Sequence, residues 1–315
     1  MGLAVVIFVS LLAVTGCSLF SDDSVTFSDA SIETAIRTAI QKPEGKIMEA
    51  DLAGLTSLDL RSQNVVNLEG LQHCANLETL DLSGNRIADL AVLSGLIKLR
   101  QLNLSWNLIV DIHPLAALTN LELLWLAENY VVDIGAVADM TKLVDLVLRG
   151  NRVVDVRPLA NLTQLVTLDL KYNQVADITT LAGLTNLDVL FLSGNAVSDL
   201  SALSGLIGLT GLYLTANRIV DLAPLSSLIN LTILGLYKNQ IVDVSPLSRL
   251  TKLQQLDLSD NLIENIAPLL IEPGLGQGDV LDITTNPMET GDGTIGKAHI
   301  DLLIQRGVSV LHDLI

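Results

Sequence analysis

Residues 99–120 read LRQLNLSWNLIVDIHPLAALTN. Leu99, Leu102, Leu104, Ile109, Ile112, Leu115 and Leu118 are aliphatic, and Asn107 stands three places after Leu104. The same frame returns at a fixed interval of 22 residues: Asn85, Asn107, Asn129, Asn151, Asn173, Asn195, Asn217, Asn239 and Asn261 follow one another without exception. A degenerate copy with Gln63 in the Asn place precedes them, and an irregular one with Asn286 follows after three extra residues. A period of this length identifies a solenoid in which each copy is one turn. The 315 residues therefore make one elongated domain rather than two globular ones.

Within a copy, the L-x-L alternation of Leu102 and Leu104 predicts a short strand with its leucines on one side and the x residues on the other. Stacked in parallel, such strands bury their leucines between turns. The Asn follows each strand, where the bending backbone loses its ladder partners, and a buried carboxamide there can both donate and accept. A second column, Asp89, Asp111, Asp133, Asp155, Asp177, Asp199, Asp221 and Asp243, opens the return segment. Aspartate suits the start of a helical turn, and Pro114 follows Asp111 by three residues. One carboxylate per turn does not converge on a metal ion.

These residues, over roughly 52–287, resemble the internalin-type leucine-rich repeats of bacterial surface proteins. The resemblance implies an α/β fold: a right-handed leucine-rich-repeat solenoid with a parallel concave sheet and short 3-10 or irregular convex segments. Residues 28–40 place Ile32, Ile36 and Ile40 on one helical face with Ser28 or Asp29 as cap, and a second short helix is expected at about 47–53. This resembles the helical N-terminal cap of internalin-like proteins. At the other end TIGKAHIDLLIQRG reads as a helix stopped by Gly307, with Val308, Val310 and Leu311 adding a last strand in an αβ cap. The expected organisation is a leader at 1–16, a short tether at 17–26, a cap at 27–53, repeats at 54–287 and a second cap at 288–315.

The leader, MGLAVVIFVSLLAVTGC, has the length of a signal-peptide core rather than of a membrane span. Its ending, Val14-Thr15-Gly16-Cys17, resembles a bacterial lipobox, which implies cleavage before Cys17 and lipid attachment to that residue. No Lys or Arg precedes the apolar run, a departure from the usual signal pattern. The resemblance places the chain on the cell envelope, anchored to the membrane through Cys17. Ser18 resembles the signal for sorting to an outer membrane where one exists. Cys74 stands where Leu96 and Leu118 stand in other copies, so it is expected as a buried thiol.

A net charge of -17 repels phosphate backbones and argues against nucleic acid as a partner. His73, His113, His299 and His312 form no metal-binding spacing, and no nucleophile elbow or phosphate loop occurs. The Gly- and Asp-rich stretches 274–279 and 288–296 match no EF-hand spacing and read as surface turns. The unbroken spacing also leaves no inserted loop from which a water-excluding pocket could be built. No enzyme activity, metal or cofactor is expected.

The remaining surface is the strand face that the leucines do not use. Seven aromatic residues lie between Gln63 and Asn261, and six fall in four of the 22 columns: Trp106, Trp125, Tyr172, Phe191, Tyr213 and Tyr237. Leu123, Val147, Val189 and Ile233 join them, with Arg149, Lys171 and Lys238 scattered between. Ala127 is also expected to point outward. Asp59, Asp81 and Asn103 flank the group on one side, and Asp257 and Asp282 on the other, so the face reads as apolar in its middle and acidic at its ends. Aromatics favour strands in any case. A contiguous patch of this extent is nevertheless larger than soluble monomers usually leave bare. The resemblance implies adhesion or recognition through the concave face, with a protein as the first expected partner and a glycan, stacked on the rings, as the second.

Overall fold

The computed structural model describes residues 24–271 and 274–313, so Cys17 and the leader lie outside the described residues. The repeats build a parallel sheet whose strands run in unbroken chain order. They are β3 (Ser57–Asp59), β4 (Thr79–Asp81), β5 (Gln101–Asn103), β6 (Leu123–Trp125), β7 (Asp145–Val147) and β8 (Thr167–Asp169). The series continues with β9 (Val189–Phe191), β10 (Gly211–Tyr213), β11 (Ile233–Gly235), β12 (Gln255–Asp257) and β13 (Val280–Asp282). Each residue pairs with its equivalent one repeat on, as in Leu102 with Leu124. The register stays intact through the irregular copy, where Leu256 pairs with Leu281. The extra residues are thus taken up outside the sheet. Short 3-10 turns, such as His113–Leu115 and Arg157–Leu159, return each chain to the next strand. This is the leucine-rich-repeat solenoid that the period predicts.

The seven aliphatic positions of residues 99–118 are all buried, and the same columns form one continuous core along the molecule. Cys74 takes its leucine place with no exposure, and burial pushes its thiol up to about 11.

The Asn column works as a set of staples between turns. Asn151 donates from Nδ2 to the carbonyls of Leu148 (2.9 Å) and of Leu126 in the preceding turn (2.8 Å), while its Oδ1 accepts from the backbone N–H of Val131 (2.9 Å). The pattern recurs at Asn85, Asn107 and Asn129. The amides therefore bond the backbone of the neighbouring turn rather than one another. Immediately before each Asn the chain adopts a left-handed conformation, from Ser62 (φ 55°) through Trp106, Glu128, Tyr172, Ala216, Lys238 and Asp260 to Thr285. Gly84, Gly150 and Gly194 fill the same column, which glycine adopts without steric cost.

The Asp column also serves the backbone. Asp89, Asp111, Asp133, Asp155, Asp177, Asp199, Asp221 and Asp243 each accept the N–H two residues ahead, at the entry to the 3-10 turn. These bonds hold the Asp111, Asp177, Asp199 and Asp243 carboxyls below the usual range. The Arg157 guanidinium is the larger cause at Asp155, which falls to about 2. A depressed folded-state pKa contributes stability that is complete above the unfolded value and is lost as pH falls through the folded one. Unfolding midpoints are therefore expected to hold from about pH 7 down to about pH 4 and to decline steadily towards about pH 2. A flat profile across that lower interval would show that the column contributes nothing.

Both ends are covered. Helix α1 (Ala30–Ala39) is capped by the Asp29 side chain, which accepts from Ser31, and buries Ile32 and Ile36. A short second helix, α2 (Glu49–Leu52), follows it. An antiparallel pair not expected from the sequence, β1 (Ser24–Val25) with β2 (Ile47–Met48), ties the start of the described chain into this cap. At the far end α3 (Ile295–Gln305) is followed by Gly307 at φ 87° and by β14 (Ser309–Leu311), which adds to the sheet beside β13. Among the described residues no helix is long and apolar enough to cross a membrane.

Candidate functional site

The strand face carries a second backbone device. Asp59, Asp81, Asn103, Asp169, Asp257 and Asp282 end their strands and accept the N–H two residues on, at 2.9–3.1 Å. The acids at the ends of the face are therefore turn-formers, satisfied within their own chain. Arg61 also pairs with Asp59 and lies 3.6 Å from Asp81. In β6, β7, β9, β10 and β11 the same place holds Trp125, Val147, Phe191, Tyr213 and Gly235. None of these can make that bond. From β6 to β11 every strand but β8 thus gives up a local stabilising interaction that the end strands retain. Sequence that breaks a local structural rule without a local gain is where function is to be sought.

Three aromatics occupy the central surface. Phe191 and Tyr213 stack with ring centroids 4.6 Å apart, and Tyr213 lies against the space that a Cβ at Gly211 or Gly235 would approach. Trp125 is half-buried two strands from Asp169 in the register Trp125–Val147–Asp169–Phe191. Leu123 and Val189 are half-buried on the same face, and Ile233 stands beyond Gly211. Trp106, Tyr172, Tyr237 and Lys238 lie apart from this centre and are exposed. Trp106 (59% exposed) and Tyr172 (62%) sit in the left-handed column, a conformation that is costly for bulky side chains. Tyr172 folds over Gly194, where a Cβ would stand 2.5 Å from its ring. Ala127 is buried, a correction to the expected outward column, because its single methyl does not reach the surface that Arg149, Lys171 and Tyr237 reach from the same column.

The patch is also not continuous. Asp169 interrupts it between Val147 and Phe191 and is only 7% exposed. Lys171 closes over it, with Nζ 3.8 Å from the carboxylate and 4.0 Å from the Phe191 ring centroid. Arg149 Nε is buried 3.6 Å from Glu128 Oε1 and makes no hydrogen bond. Beside them Asp145 Oδ1 is buried without a hydrogen-bond partner. Arg149 and Lys171 are therefore not scattered charges but the centre of the face. Burial raises the carboxyls of both Asp145 and Asp169. At Asp145 the Trp125 side chain opposes the rise and the Asp169 charge adds to it, whereas Lys171 opposes the rise at Asp169.

A further apolar stripe escaped the sequence reading. Val110, Val132, Val154, Val220 and Val242 are each about half exposed on the flank that leaves the sheet. Its signal was present in the column between the buried Ile109 and the turn-forming Asp111. Among the described residues no group of His, Cys, Asp and Glu side chains is placed to hold a metal ion.

Residues 141–183, 185–227 and 229–270 match the family of Leucine Rich repeats (2 copies), and residues 53–109 match the Leucine rich repeat family. Among solved structures, the chain is similar to an internalin (InlF) from Listeria monocytogenes, with 31% identity and a TM-score of 0.83 over 91% of this chain and 84% of that one. The functional domain of InlJ from the same organism, which includes a cysteine ladder, is 24% identical at a TM-score of 0.73, over 91% of this chain and 60% of that one. A leucine-rich-repeat protein from Leptospira interrogans is 22% identical at 0.69, over 84% of this chain and 73% of that one. The last two likenesses concern the fold alone. Cys74 is the single cysteine in the repeats, so this chain carries no such ladder. No curated protein sequence matches significantly.

Proposed function

We infer that this chain, which belongs to the leucine-rich repeat family, is a recognition module that holds a protein partner against the middle of its strand face. One observation carries the reading: Trp125, Val147, Phe191 and Tyr213 replace the turn-forming acceptor that Asp59, Asp81, Asp257 and Asp282 supply elsewhere. Exposed or half-exposed aromatics beside a desolvated charge cluster have the composition of an interface centre, where Trp, Tyr and Arg most often anchor. Leu123, Val189 and Ile233 extend the contact, and Trp106, Tyr172, Tyr237 and Lys238 would meet the partner at its edge. The lipobox-like ending at Cys17 supports export and attachment to the cell envelope, with the solenoid close to the membrane that holds it.

Replacement of Trp125 and Phe191 by Ala is expected to leave the fold intact and to abolish capture of the partner in pull-downs from the chain's native surroundings. Undiminished capture by the folded double variant would move the binding site to another surface, the exposed valine flank first. Sugar stacking is the second reading, favoured by the open rings of Trp106 and Tyr172. Saturable binding on a glycan array, lost in the same variant, would put it first.

A further inference from the structure

Six aspartates occupy the two outward strand columns. Five of them, Asp59, Asp81, Asp169, Asp257 and Asp282, accept a backbone N–H two residues on. Asp145 is the sixth, and it cannot form that turn because it opens its strand and the residue two ahead, Val147, is paired in the sheet. Its Oδ1 is buried with no hydrogen-bond partner. Neither nearby cation is free to serve it: Lys171 lies between Asp169 and the Phe191 ring, and Arg149 is turned towards Glu128. The centre of the face therefore holds three carboxylates, Glu128, Asp145 and Asp169, against two cations. It is one positive charge short, and the shortage falls beside the Trp125 indole. A half-buried carboxylate that has the Trp125 side chain beside it but no cation is a cost to the fold, and a cation delivered by a ligand would offset it.

We propose that Asp145 and Trp125 form a receiving site for an arginine side chain of the protein partner. The guanidinium would donate to the outer edge of the Asp145 carboxylate and lie against the indole face, a pairing that a planar cation makes better than an ammonium. The chain's net charge of -17 favours a basic partner in the same sense. This inference rests on the strand face being the binding surface, as proposed above, and names the partner's chemistry there.

The test uses Nα-acetyl-arginine amide as the probe and its neutral isostere Nα-acetyl-citrulline amide as control, with the Trp125 indole N–H resonance followed in a Trp106→Phe background. The arginine derivative is expected to move that resonance saturably, and citrulline to leave it in place. In Asp145→Asn the movement should fall at least fivefold, while the melting temperature stays level or rises, because an uncompensated charge has been removed. Asp145→Thr, copying its sheet neighbour Thr167, provides a second variant. An unmoved wild-type resonance, an equal response to citrulline, an undiminished response in Asp145→Asn, or loss of the fold in both variants would each overturn the proposal. Partner capture that depends on Trp125 and Phe191, combined with no response to the arginine derivative, would leave the binding face standing and remove only the arginine site. Arginine binding without partner capture would do the reverse.

Discussion

Asn151→Ala is expected to destabilise the solenoid by about 3–5 kcal/mol and to split its unfolding into two steps. The carboxamide is buried and satisfies three backbone groups, two of them in the preceding turn. Alanine would leave the buried Val131 N–H unpaired and would cut the Leu126 and Leu148 carbonyls back to the bonds they keep from Asn129 and Asn173. The unpaired N–H costs on the order of 1–3 kcal/mol and each lost carbonyl bond about 1 kcal/mol. Because repeat stability is a sum of units and nearest-neighbour interfaces, weakening one central interface should let the two halves melt separately. Asn239 makes equivalent bonds in a partly exposed setting. Its replacement should therefore cost about half as much. Urea titrations followed by circular dichroism would show both effects. A single sharp transition shifted by under about 1 kcal/mol would mean that the staples are dispensable.

The second large effect is expected at the opposite kind of position. Trp125→Asn would copy the solution used at its sheet neighbour Asn103 and restore an acceptor for the N–H two residues on without adding a carboxylate beside Asp145. Stability should change little, since the new turn bond offsets the indole contacts given up, whereas affinity for the partner should fall by about 2–4 kcal/mol, roughly 30- to 1000-fold. Separation of the two quantities is the useful feature. A residue kept for packing loses stability when replaced by the end-repeat residue, and a residue kept for recognition loses binding. Calorimetry and partner capture on the same preparation distinguish them, and a large drop in melting temperature with capture unchanged would assign Trp125 to the core.

The period of Asn residues determined almost everything about the architecture, because a fixed interval forces each residue into a column and each column into one environment. Strand, staple, turn-former and core leucine could be read in this way, and Cys74 in its leucine place followed from the same logic. What a column does not show is how far a side chain reaches. Asp169 shares a column with exposed Asp59, yet it is buried because Lys171 closes over it between two apolar neighbours. Arg149 and Lys171 read as scattered charges for the same reason, since the sequence fixes their column but not the direction of their long stems. The left-handed column before each Asn was signalled only by Gly84, Gly150 and Gly194. The bulky residues in the other turns hid it, because they bear a strain that glycine avoids. Pairing of Ser24–Val25 with Ile47–Met48 lies outside any repeat, so periodicity could not reveal it.

The central claim is that the middle of the strand face touches a protein. Its most direct test is a benzophenone photocrosslinker placed in turn at position 125 on the strand face, position 132 on the valine flank and exposed position 229 just past the 3-10 turn Ala223–Ser227, in intact cells that express the chain. A discrete protein adduct from position 125, absent from 132 and 229, is the predicted result. No protein adduct at 125, or the same adduct arising from 132 or 229 alone, would contradict it.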